Sequence, residues 1–149
     1  MNPTWQIELF GGLRGRSETG AEFAPGVSRA GTLLACLALA PARSLTREFL
    51  AALLWPESDE ATARTRLRQE LSVLRRQLEP DGIAEGSVLV RGRDRIALVP
   101  GAVVTDVERF RAAFAAARKS QEARERERLL DGAATLYRGE LLPGYDYDG

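Results

Sequence analysis

Hydrophobic and polar positions alternate at the start of the chain and then change period. Trp5, Ile7 and Leu9 are separated by Gln6 and Glu8, the two-residue repeat of a half-buried strand. Gly11 and Gly12 break the run, residues 13–16 are set to return as a second strand, and residues 22–24 add a short third before Pro25-Gly26. Leucine and alanine then predominate from residue 28 to residue 40, which predicts a buried helix that Pro41 ends. Thr46 is placed to cap a second helix running through Trp55, with Glu48 in its first turn and Phe49, Leu50, Leu53 and Leu54 on its core face. Pro56 stops that helix.

The clearest helical period lies in residues 61–78, ATARTRLRQELSVLRRQL. Ala63, Leu67, Leu71, Leu74 and Leu78 recur at spacings of three and four, so they stack on one face. Thr62, Thr65, Gln69, Ser72 and Arg76 project from the opposite side, with Arg66, Arg68 and Val73 on the shoulders. The preceding turn, Pro56-Glu57-Ser58-Asp59-Glu60, is acidic and supplies caps. Residues 79–82 end the helix. Residues 88–90 and 96–98 then form a hairpin whose tip, Arg91-Gly92-Arg93-Asp94-Arg95, carries three arginines and one aspartate.

Thr105 and Glu108 have capping-box spacing and open a helix with Val107, Phe110, Phe114 and Ala117 as its apolar stripe. A charged stretch at residues 119–128 sums to zero and reads as a solvated surface. It leads into a last helix bearing Leu129, Leu130, Ala133, Leu136 and Tyr137. Leu141, Leu142, Tyr145 and Tyr147 have no later element to pack against. That pattern reads as a chain cut short, and it leaves open a homodimer, or a swap of the last helix.

Composition sharpens this picture in one place. The 149-residue chain is formally neutral, with 21 basic and 21 acidic residues, yet residues 61–78 hold five arginines against Glu70. A nucleic-acid partner must therefore meet a local patch and not a generally basic coat. The hydrophobic fraction of 44% and charged fraction of 28% suit a globular chain with a core. The single cysteine, Cys36, falls in an apolar run and reads as a buried structural thiol. With no disulfide framework, no stretch of ~20 apolar residues and no signal core at the N-terminus, a cytoplasmic protein without membrane contact is expected.

Enzymatic chemistry has little to work with. There is no histidine, so the commonest general base and metal ligand is missing, and Ser-His and Cys-His arrangements are excluded. No metal site and no cofactor are expected. Gly11 and Gly12 lie in GGLRG, which lacks both the dinucleotide-loop spacing and a Gly-Lys-Ser/Thr ending. A hairpin or bulge is expected there. The carboxylate pairs Asp59/Glu60 and Asp146/Asp148 sit in polar segments that give no reason for a shifted pKa.

Helix, short turn, basic helix and arginine-tipped hairpin in succession make a winged helix. On this reading Arg64, Arg75 and Arg76 anchor phosphates, Thr65, Gln69 and Ser72 meet base edges in the major groove, and Arg66, Arg68 and Val73 flank them. Arg91, Arg93 and Arg95 then reach the backbone or the adjacent minor groove.

These residues resemble a known family. Leu53-Leu54-Trp55 with its acidic turn, Thr62-Ala63-Arg64, and Leu74-Arg75-Arg76-Gln77-Leu78-Glu79-Pro80 look like the OmpR/PhoB-type winged helix of Streptomyces antibiotic regulatory proteins (SARP) and their relatives. The motif VVTDVERF, ending at Phe110, and Tyr137-Arg138-Gly139-Glu140-Leu141-Leu142-Pro143-Gly144 resemble the start of the bacterial transcriptional activator domain. That domain is a helical, tetratricopeptide-like array.

The resemblance implies an α+β fold in two parts. A winged helix-turn-helix with an N-terminal antiparallel sheet of four strands and a C-terminal hairpin would cover residues 1–103, and the first array helices residues 104–149. It implies transcription activation through double-stranded promoter DNA, with binding at direct repeats. It also implies contact with RNA polymerase through Trp55, Pro56, Glu57, Ser58, Asp59 and Glu60. Arg64, Ser72, Arg75 and Arg76 match the family's basic helix, whereas Val73 stands where arginine is common and Arg93-Asp94-Arg95 where Gly and Tyr are usual. A protein-interaction module built on the same surface is the competing reading, told apart by the salt dependence of binding.

Overall fold

The computed structural model describes residues 4–24, 28–137, 139, 141 and 142. The expectations placed on Pro25, Gly26, Arg138, Glu140, Pro143, Gly144, Tyr145, Asp146, Tyr147 and Asp148 lie outside them. The chain folds as an α+β winged helix continued by a helix pair, in the order β1 (Trp5–Glu8), β2 (Arg14–Ser17), β3 (Glu22–Phe23), α1 (Arg29–Leu39), β4 (Ser44–Thr46), α2 (Arg47–Leu54), α3 (Glu60–Leu78), β5 (Leu89–Arg91), β6 (Arg95–Leu98), β7 (Val103–Thr105), α4 (Asp106–Lys119) and α5 (Ala123–Leu136).

The first sheet runs β3-β2-β1-β7. Alternation puts Trp5 and Ile7 inward, each 1% exposed, and leaves Gln6 in solvent. Strands β1 and β2 pair antiparallel, with Trp5 opposite Ser17 and Ile7 opposite Gly15. Gly15 has to be glycine, because a Cβ there would come within 2.6 Å of the Phe23 ring, which packs edge-on to Trp5 at 5.1 Å. Gly11 and Gly12 carry the positive φ of the β1–β2 turn, as their position in the sequence predicts.

Strand β7 joins this sheet in parallel with β1, Trp5 against Val103 and Ile7 against Thr105. The sheet is thus antiparallel over three strands and gains its fourth from the far side of the wing. The division expected between residues 103 and 104 falls inside β7. Asp106, 7% exposed, fastens the same corner. Its carboxylate accepts the N–H groups of Leu9 at 2.9 Å and Phe10 at 3.0 Å, beyond the end of β1.

Helices α1, α2 and α3 surround a single core with the sheet. Ser28 caps α1 by accepting from the Gly31 N–H. Leu33, Leu34, Leu37, Leu50, Leu67, Leu71, Leu74 and Leu78 are buried together. Cys36 is half-buried and packs against this core; burial pushes its thiol above the ordinary value, which fits a structural role. The Trp5 indole N–H donates to the Leu78 C=O at 2.8 Å, tying β1 to the end of α3.

The helix pair follows β7. Thr105 caps α4 by accepting from the Glu108 N–H at 2.9 Å. The reciprocal half of the expected capping box does not form, because the Glu108 carboxylate turns to Arg43 at 2.7 Å. Phe10 meets Phe110 and Tyr137 at ring distances of 5.6 and 5.2 Å. The expectation that Leu141 and Leu142 have nothing to pack against is corrected. Leu142 donates its N–H to the Leu9 C=O at 2.8 Å and is 2% exposed, and Leu141 forms a bridge with Phe10. The chain returns to its own first sheet, so Leu142 is not free for a second copy. Among the described residues no helix is long and apolar enough to cross a membrane.

Candidate nucleic-acid interface

Helix α3 starts at a doubly bonded cap: the Asp59 carboxylate accepts the Thr62 N–H at 2.8 Å and the Thr62 hydroxyl at 3.0 Å. The expectation of an unshifted carboxyl here is corrected: the Thr62 backbone bond, then its side-chain bond, holds the Asp59 carboxyl below its ordinary value. Glu60 in the first turn and Arg75 and Arg76 in the last complement the helix dipole. The five positions that the period predicts for the core, Ala63, Leu67, Leu71, Leu74 and Leu78, are the ones buried.

The opposite face is open. Arg64, Thr65, Arg66, Arg68, Gln69 and Arg76 are exposed, and Ser72 and Arg75 are half-buried. Thr62, Thr65, Arg66 and Gln69 line a shallow trough on this face. Its polar groups rest on the helix itself. The Thr65 hydroxyl donates to the Ala61 C=O at 3.1 Å, the Ser72 hydroxyl to the Arg68 C=O at 3.1 Å, and the Arg76 Nε–H to the Ser72 C=O at 3.3 Å. Such bonds to exposed carbonyls are individually weak and are exchangeable for an external acceptor. Arg64 meets Glu60 at 3.4 Å with both side chains mostly in solvent, a pair worth little. Val73 differs from its neighbours: it is half-buried and packs on the core, because its shoulder position faces inward.

The hairpin adds strands β5 and β6, and β4 extends it to a three-stranded sheet in the order β4-β6-β5. Its three arginines are used differently. Arg95 is held by the Ser44 hydroxyl at 2.9 Å and the Ser44 C=O at 3.3 Å. Arg91 pairs with Glu85 at 2.6 Å. Arg93 is exposed and has no anionic partner among the described residues. Gly92 permits the tight turn, since a Cβ would lie 2.8 Å from the Arg95 carbonyl oxygen.

The turn between α2 and α3 is also divided. Trp55 is 6% exposed and belongs to the core, with the Arg29 guanidinium 5.3 Å above its ring and donating to the Leu54 C=O. Its ring is not offered to a partner. Pro56, Glu57, Asp59 and Glu60 are exposed, and Ser58 is half-buried.

Three residues that shape this surface carry no pattern in the sequence that marks them for it. Glu79, buried at the end of α3, accepts the N–H groups of Gly86, Val88 and Leu89 at 2.9–3.0 Å, and so hangs the hairpin on the helix. Arg47 bonds the hairpin turn from the start of α2, and burial, then Arg91 and Arg68, lower its pKa. Ser44 braces Arg95. Of the three, Glu79 alone has a local signal, the adjoining Pro80, and that signal speaks of a helix end and not of a tie to the hairpin.

The same fold occurs in a solved structure of Mycobacterium tuberculosis EmbR, in complex with a low affinity phosphopeptide. The match has a TM-score of 0.78 at 24% identity and covers 95% of this chain. The chain spans 38% of that EmbR chain. No family model matches the sequence, and no curated protein matches it.

Proposed function

We propose that this protein binds double-stranded DNA in a sequence-specific way and acts as a transcription activator of the SARP type, not as an enzyme and without a cofactor. The observation that carries the reading is the outward face of α3, where arginines and short polar side chains are exposed together above a face of buried leucines. A helix of 19 residues is long enough to lie in a major groove about 12 Å wide. Arg64, Arg75 and Arg76 are assigned to phosphates, Thr65, Gln69 and Ser72 to base edges, and Arg93 to the backbone or minor groove beside the hairpin. Arg66 and Arg68 add positive charge on the flanks. Direct repeats at promoters are the expected targets. RNA polymerase would meet the exposed part of the α2–α3 turn at Pro56, Glu57 and Asp59.

Selection of bound duplexes from a random pool, at recorded salt, tests this reading. Enrichment of one motif is expected, and a pool that stays random would reject sequence-specific binding. A second reading, a protein-interaction module, draws support from Phe49 and Leu53: the sequence pattern sets them on the core face of α2, but that face is filled by Leu50, Ala51 and Leu54, and the two are left 52% and 43% exposed. It expects binding that depends little on salt and fails when those two side chains are changed.

A further inference from the structure

The DNA-binding reading gives Thr65 a base edge, and the side chain's own hydrogen bonds restrict which of its atoms can meet one. Thr65 is exposed and lines the shallow trough on α3 with Ala61, Thr62, Arg66 and Gln69. Its hydroxyl is used twice: the hydrogen goes to the Ala61 C=O at 3.1 Å, and the oxygen accepts an Arg68 N–H at 3.3 Å. A threonine hydroxyl has a single hydrogen to give, so turning it to a base acceptor would break the first bond and displace Arg68. The γ-methyl is what Thr65 offers without such a loss.

Its neighbours are in the same condition. The Thr62 hydroxyl donates to the Asp59 carboxylate at 3.0 Å, and Ala61 has only a methyl group, so three of the five residues that line the trough have methyls to present. Ser72 is the contrast. Its hydroxyl makes the same kind of bond, to the Arg68 C=O at 3.1 Å, but it has no methyl and must release the hydroxyl to meet a base. Thr65 also falls in the first third of α3, and the N-terminal residues of a recognition helix are the ones that contact base edges. The apolar feature that distinguishes bases in the major groove is the C5-methyl of thymine, and threonine methyls and alanine are side chains that pack on it.

We propose that Thr65 reads a thymine through its γ-methyl, packed against the C5-methyl of the base, while its hydroxyl stays bonded within α3. The hydroxyl then serves to hold the side chain in one rotamer. This inference rests on the DNA-binding reading and adds to it the preferred base at one position of the target.

Selection of duplexes by the full chain supplies the motif, and each thymine in it is then replaced singly by uracil, which lacks only the C5-methyl. At one thymine the replacement is expected to weaken binding by the unaltered chain about fourfold, the share of one buried methyl group. Thr65→Ser keeps the hydroxyl and removes the methyl, so it should bind the thymine duplex about fourfold more weakly and be indifferent to uracil at that position. Thr65→Val keeps a methyl without the hydroxyl and should stay sensitive to uracil. A motif in which no thymine methyl matters would overturn the proposal, and so would full uracil sensitivity in Thr65→Ser or its loss in Thr65→Val. Each of these results leaves sequence-specific DNA binding standing, whereas a pool that stays random would remove both.

Discussion

Asp59 shows how much of the interface depends on one small side chain. Its carboxylate caps α3 through two bonds to Thr62, and those bonds favour the charged form, so its pKa is lower in the folded chain than in the unfolded one. The sign follows from that direction. The cap stabilises the fold above the unfolded carboxyl value and is lost as pH falls through the depressed folded value, below the ordinary 3.8. Thermal unfolding followed from pH 7 into the acid range should show this contribution fading below about pH 4. Asp59→Asn keeps a capping oxygen without the charge and should flatten that part of the profile; an unflattened profile would assign the acid sensitivity to other carboxylates.

Among the elements, α3 and the hairpin work as a unit because Glu79 ties them. A buried carboxylate accepting three backbone N–H groups cannot be removed without leaving those donors unpaired. Glu79→Ala should lose about 1.5–3 kcal/mol in denaturant unfolding. Faster hydrogen exchange is expected at the Gly86, Val88 and Leu89 amides, and unchanged exchange there would show that the hairpin is held by its strands alone.

This tie was not legible in the sequence, whereas α3 was. Its buried positions repeat along the whole helix, and a local period survives whatever surrounds it. Strands β4 and β7 have three residues each and too little alternation to be seen. Their partners lie in β6 and β1, far along the chain, so only folding brings them together. Arg47 was hidden for the same reason, since Gly92 is 45 positions away. Val73 shows the limit from the other side: a shoulder position on a helix is inward or outward according to its neighbours, and here the core takes it.

For the whole molecule, the parallel pairing of β7 with β1 and the carboxylate of Asp106 make the helix pair continuous with the winged helix. Arg43 adds an ion pair to Glu108 across the same junction, and Leu142 brings the chain back to Leu9. Asp106→Ala should orphan the Leu9 and Phe10 amides at a cost of about 1–3 kcal/mol, lowering the unfolding midpoint by about 2–4 °C for each kcal/mol. If the midpoint stayed where it was, the junction would rest on the aromatic packing of Phe10 instead. The fold shared with EmbR spans both parts of this chain, at 95% coverage, in keeping with a junction that belongs to the architecture.

The formally neutral chain carries a local excess of arginine on α3, five against Glu60 and Glu70, and duplex binding measured against salt tests the meaning of that helix most directly. Titrations of the unaltered chain and of an Arg75→Ala/Arg76→Ala variant on the same duplex should give a straight, steep fall of log Kobs with log[salt]. The variant should bind more weakly, with a slope shallower by about 0.9 for each phosphate it no longer neutralises. Equal affinity and equal slope in the two proteins, with the variant still folded, would contradict the assignment of α3 as a DNA-recognition helix.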